Sequence, residues 1–178
     1  IIKVINQINS GAPAARNRGV EEAMGEFVVF LDADTICFPN MISEMRIALE
    51  KNPKASFAYS QFCFGWKKIQ SHSFDIGLLK KINYIDTTSL IRRIDVVRFD
   101  ESLKRFQDWD LYLTMVEQGK TGVFVKKVLF KKQVLSSRRG INISNWLPSF
   151  IYKIPWKIKR VKDYEIAREI ILKKHGLI

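Results

Sequence analysis

Asp32-Ala33-Asp34 stands where an apolar run, Phe27-Val28-Val29-Phe30-Leu31, gives way to a loop. In an open α/β sheet, ligands bind in the crevice outside the carboxyl ends of the strands, so a carboxylate pair at that point is placed for chemistry. Two carboxylates one residue apart are hard oxygen donors able to share Mg²⁺ or Mn²⁺, which keeps its other positions for water and phosphate oxygens. The same two residues would equally cap the turn into the next helix. Gly11 and Arg16, at the start of the preceding helix, favour the ligand reading, because helix N-termini and guanidinium groups both attract oxyanions. Taken singly, Arg16 and Arg18 would pass as solvated surface charges.

A second constellation, Gln107-Asp108-Trp109-Asp110, opens a stretch that continues through Leu111, Leu113 and Met115. Asp108 there could take a proton from an attacking hydroxyl, and Trp109 could stack on a sugar ring. Asp110 reads as the structural member of the pair, and a helix N-cap is the plainer alternative for Asp108. His72 and His175 have no partner pattern, and no Ser-His-Asp or Cys-His arrangement is visible. Cys37 and Cys63, far apart and without nearby ligands, read as free thiols in a reducing compartment.

The elements that must hold these residues follow from periodicity and punctuation. Ile2 to Ile5 reads as a strand and Ala12 to Met24 as a helix, with Pro13 in its first turn and Gly25 at its end. Glu26 to Asp32 is a strand whose unbroken apolar run predicts cover on both faces, as in a parallel sheet. Pro39 to Lys51 is a second helix and Ala55 to Phe64 a further strand. Gly65 to Asp86 is mixed and polar, hence loop-rich. A short strand at Thr87 to Arg92, a helix from Asp108 to Gln118 ended by Gly119, and a strand or hairpin between Gly122 and Val134 follow. From Asn145 onward the pattern is helical, with Trp146, Phe150, Ile151 and Trp156 interleaved with Lys153, Lys157 and Lys159 and broken at Pro155.

At 178 residues, 47% hydrophobic and 12% aromatic, the chain can bury the core of one domain. No apolar run reaches membrane-spanning length, and the first residues lack the pattern of a secretory signal. Because the sequence opens inside a strand, it is expected to be cut from a longer protein. The net charge of +12 favours an anionic partner: phosphorylated substrates, an acidic lipid surface or nucleic acid.

The run from Asn9 through Asp34, then Thr87-Thr88-Ser89-Leu90-Ile91-Arg92-Arg93, Phe99-Asp100-Glu101 and Gln107-Asp108-Trp109-Asp110-Leu111, in that order, resembles family 2 glycosyltransferases of GT-A fold. The resemblance covers roughly Ile2 to Val134. It implies an α/β, Rossmann-like, mostly parallel sheet flanked by helices, with the family's first β-α-β unit missing. It divides the chain into a partial glycosyltransferase domain at 1–140 and a basic amphipathic helical extension at 141–178.

By the same resemblance, Asp108 is the catalytic base and Gly11, Arg16, Asp32, Ala33 and Asp34 bind the donor. Asp32 and Asp34 hold Mn²⁺ or Mg²⁺, with Asp34 the more direct ligand. The implied reaction is an inverting transfer of a sugar from a nucleoside diphosphate to a hydroxyl of a glycan or lipid-linked acceptor, in cell-surface polysaccharide or glycolipid synthesis. Trp109 faces the acceptor. A cytoplasmic location follows, with the basic C-terminal segment able to touch the inner face of the membrane, and no specific nucleic acid is expected. Lys132 and Gln133 stand where many relatives carry Arg or His. Two competing readings are a non-catalytic basic module that binds anionic membrane or nucleic acid, and a metal-dependent phosphotransferase, which would give Asp108 no task.

Overall fold

A computed structural model of the chain describes residues 2–69, 71–133 and 159–178. Helix α1 (Gly11–Glu22) leads into strand β1 (Phe27–Val29), the Asp32–Asp34 loop, strand β2 (Thr35–Cys37) and helix α2 (Met41–Lys51). Strands β3 (Phe57–Phe64) and β4 (Lys67–Ile69), the short helix α3 (Ile76–Leu79) and strand β5 (Leu90–Arg92) follow. Helix α4 (Gln107–Glu117), strand β6 (Gly122–Lys132) and helix α5 (Lys159–Lys174) complete the described chain.

The strands form one sheet in the order β1-β5-β3-β6-β2, with β4 attached to β3. The α/β class and the helical C-terminus match the sequence reading, but the sheet is mixed rather than mostly parallel. Among the described residues β3 and β6 are the parallel pair, and the other pairings are antiparallel. Strand β1, expected to be covered on both faces, is only half-buried because its described neighbour is β5 alone and it lies at the sheet's edge. The strand expected at Ile2 to Ile5 does not form. Ile2 and Val4 stand exposed.

Strand β3 carries the core because it alternates between two covered faces. Its Ala58 meets Met41, Met45 and Leu49 of α2, all fully buried, together with Leu129 and Phe130. Its Phe57 and Tyr59 meet Trp109, Tyr112, Leu113 and Met115 of α4 on the other face. Each such side chain contributes ~2 kcal/mol of burial. Gly122 opens β6 directly over Phe57, where an added Cβ would lie 2.2 Å from the ring.

The amphipathic segment expected at Trp146 to Ile158 lies outside the described residues. Helix α5 packs onto the domain: Ile171 and Leu172 join the core, and Val161 is fully buried. Its end is bolted to α4 by ions, since Lys174 reaches Asp100 and buried Asp110, each at 2.7 Å, and His175 lies between Asp110 and Glu117. That pairing accounts for Asp110 as the structural member of its motif. No helix among the described residues is long and apolar enough to cross a membrane.

Candidate active site

A cleft of about 510 Å³ opens at the ends of β3 and β6, within the size range of small-molecule sites. Asp32, Asp34, Asp86 and Asp108 line it together with Lys132, so residues from four separate stretches of sequence converge on one space. Register explains the convergence. Thr35 of β2 pairs with Lys132 of β6, which sets the lysine beside the Asp32–Asp34 loop, and the Gln133 N–H donates to the Asp34 carbonyl at 2.8 Å.

Asp32 is held rather than free. One carboxylate oxygen accepts from Arg16 at 2.8 Å and the other from Lys132 at 3.3 Å. Burial alone would raise its pKa, but these two cations outweigh it and the carboxyl titrates below its usual range. Arg16 also donates to the Gln107 side chain at 2.7 Å, tying this loop to the first turn of α4. With its guanidinium spent on Asp32 and Gln107 and its plane against Phe99, Arg16 stands behind the cleft wall instead of lining it. Gly11, which starts α1 at φ +87°, and exposed Ala33 also lie outside the lining.

Asp34 differs from its neighbour. It lines the cleft, and its carboxylate makes no hydrogen bond or ion pair among the described residues. An unengaged hard anion beside a phosphate-sized space suits a divalent cation that takes one or two protein carboxylates and fills its shell from substrate and water. The described residues contain no cluster of three or more such ligands.

Asp108 enters from the first turn of α4. Phe106, immediately before that helix, adopts a left-handed backbone (φ 57°, ψ 29°), which costs about 1 kcal/mol for a non-glycine residue. The turn packs the Phe106 ring against Trp109 and Tyr164, and the helix then starts with Asp108 toward the cleft. Burial and the like charge of Asp86 push the Asp108 pKa up, against the Asn83 side chain, the Trp109 N–H and Lys132, which pull it down. A carboxylate with a raised proton affinity facing open space is suited to general-base work.

The structure does not make Trp109 an open stacking platform. The ring is 1% exposed, its indole N–H donates to the Leu79 carbonyl at 2.6 Å, and the Arg168 guanidinium lies 6.0 Å from the ring centre. A large aromatic in the first turn of α4 gains more from the core than from water.

Asp86 and Lys132 complete the arrangement, and neither was assigned a task from sequence. Asp86 is fixed on every side: the Thr88 N–H donates to its carboxylate at 2.9 Å, and Tyr112 and Ser89 hydroxyls donate to its carbonyl. Lys132 then donates to the remaining carboxylate oxygen at 2.7 Å. Burial would lower the Lys132 pKa, but Asp86, Asp32 and Asp108 raise it, so the ammonium stays charged. The only sequence signal for Asp86 was a carboxylate immediately before the Thr87-Thr88-Ser89 strand entrance.

Comparison with known proteins bears on this cleft. The family model described as Glycosyl transferase family 2 matches residues 1–105. The uncharacterized glycosyltransferase YwdF of Bacillus subtilis is 31% identical over 63% of this chain and 47% of its own length. The putative colanic acid biosynthesis glycosyl transferase WcaA of Escherichia coli is 28% identical over 65% of this chain and 46% of its own. Among solved structures, S. aureus TarS in complex with UDP-GlcNAc superposes with a TM-score of 0.60 at 16% identity, covering 90% of this chain and 52% of TarS. The chain thus spans about half the length of these proteins.

Proposed function

Because the chain belongs to glycosyl transferase family 2, we propose that its cleft transfers a sugar from a nucleoside diphosphate donor to a hydroxyl acceptor, with inversion at the anomeric carbon. The observation that carries this reading is that Asp34 and Asp108, distant in sequence, both line one cleft of about 510 Å³. TarS has been crystallised with UDP and with UDP-GlcNAc, which supports a nucleotide-sugar donor here.

Asp34, with its unengaged carboxylate, would hold Mn²⁺ or Mg²⁺, and Asp32 is held alongside by Arg16 and Lys132. When bound, the cation neutralises the departing diphosphate. Arg16 is a positioning residue: by gripping Asp32 and Gln107 it fixes the Asp34 loop relative to α4. Asp108 takes the proton from the acceptor hydroxyl as its oxygen attacks the anomeric carbon, and no covalent enzyme intermediate is required. The acceptor hydroxyl belongs to a glycan or lipid-linked glycan, a reading supported by the naming of WcaA for colanic acid biosynthesis.

Titration of the full-length protein with UDP, GDP and CDP, each with and without Mn²⁺, tests this. One nucleotide is expected to bind with Mn²⁺ and to lose that dependence in Asp34→Asn. Failure of all three to bind would sink the reading.

A further inference from the structure

One of the cations held among the cleft's carboxylates, Lys132, bridges two of them. Lys132 Nζ lies 2.7 Å from Asp86 and 3.3 Å from Asp32, its side chain is only 13% exposed, and Asp108 is close enough to help keep the ammonium charged. Asp86, Asp32 and Asp108 all act on the Lys132 charge, and Asp86 and Asp108 repel each other as like charges do at close range. Lys132 offsets that repulsion.

An ammonium is a compact point charge on a four-carbon stem with rotatable donors, so it can give up one oxygen partner for another. Asp86, by contrast, is pinned by Thr88, Tyr112 and Ser89 and cannot follow it. Asp32 also keeps Arg16 whether or not Lys132 moves.

We infer that Lys132 is a resident counter-ion that competes with divalent metal for the Asp32 and Asp86 carboxylates, so that metal enters the cleft with the donor diphosphate and not before it. This rests on the transferase reading for the identity of the diphosphate. The competition itself rests only on the geometry around Lys132. With no donor present, the ammonium satisfies the carboxylates and leaves Asp34 alone to attract a metal. When a diphosphate arrives, its own negative charge gives Lys132 a new partner and supplies the metal with oxygens that the protein withholds. Lys132 would then stabilise the same leaving group as the metal from a second direction.

The test is Mn²⁺ binding to the full-length protein followed by electron paramagnetic resonance of free Mn²⁺, with no nucleotide present. Lys132→Met is expected to bind Mn²⁺ about tenfold more tightly than wild type or better, as the removal of a cation at this range predicts, and Lys132→Arg is expected to remain like wild type. Unchanged or weaker binding in folded Lys132→Met overturns the inference, as does an equal gain in Lys132→Arg. Should Lys132→Met fail to fold, wild type alone decides: adding UDP must raise Mn²⁺ affinity by about tenfold, and equal affinity in its presence overturns the inference where UDP is shown to bind. If UDP, GDP and CDP all fail to bind while Lys132→Met still gains Mn²⁺ affinity, the transferase reading falls and the competition stands.

Discussion

Asp34 and Asp108 face one cleft from opposite sources: the first from the loop that follows an edge strand, the second from the opening turn of a helix far along the chain. Their environments differ as much as their origins. The Asp34 carboxylate has no partner among the described residues, whereas Asp108 is half-buried near Asp86, with the Asn83 side chain, the Trp109 N–H and the Lys132 charge favouring its ionised form. The same amino acid is thereby prepared for two tasks, one to hold a cation and one to hold a proton.

Asp108→Asn should lower kcat by about a thousandfold while leaving donor affinity unchanged, as expected for loss of a general base. It should not destabilise the fold. The native pKa of Asp108 is raised, so the native state binds its proton more tightly than the unfolded chain does, and native stability declines as pH rises through that interval. The neutral amide removes this decline, so thermal unfolding near neutral pH should show a Tm for the variant equal to or above that of wild type.

The acid limb of the pH–rate profile should lie above the range of an ordinary aspartate, because burial and Asp86 raise the group that must be deprotonated. Lys132→Met removes a cation that lowers the Asp108 pKa and should move this limb to higher pH. Asp86→Asn removes a like charge and should move it to lower pH. Shifts in the same direction for both variants would contradict the assignment.

Arg16→Lys should reduce kcat by roughly tenfold or more, because an ammonium cannot reproduce a fork that holds Asp32 and Gln107 at once. The adjoining structure should survive. Circular dichroism should be unchanged while the rate falls; a rate equal to that of wild type would remove Arg16 from the machinery.

Lys174→Met should destabilise the protein by about 2 kcal/mol, a value reduced from that of a fully buried pair because Lys174 is partly exposed. Its hydrogen bond is the largest of the effects that lower Asp100 to about 2. A depressed carboxylate contributes stability present above its unfolded pKa and lost as pH falls through the folded value. Urea midpoints between pH 4 and pH 2 should therefore fall less steeply for the variant than for wild type.

Much of this was legible in the sequence, and the exceptions have physical reasons. Helices α1, α2 and α4 announce themselves through Pro13, Gly25 and Gly119 and through the periodic Met41, Met45 and Leu49. The mixed sheet was not legible, because an apolar triplet such as Phe27–Val29 reads the same at an antiparallel edge as inside a parallel sheet. Asp34 and Asp108 stood out because short motifs surrounded them. The pairing of Asp86 with Lys132 did not, since β5, which Asp86 precedes, and β6, which ends at Lys132, meet through β3, a long-range strand order that local pattern does not encode. The burial of Trp109, which lines the cleft, was not legible for a similar reason: the packing of α3 and α5 around α4 turns its ring inward.

The most direct measurement is a crystal structure of the full-length protein with Mn²⁺ and a non-hydrolysable analogue of the nucleotide sugar that it binds. The expected result has the metal on Asp34, the diphosphate against Lys132, and the anomeric carbon open to attack from the Asp108 side. A donor seated outside this cleft, or one whose sugar is screened from Asp108 by packed protein, would contradict the proposed reaction.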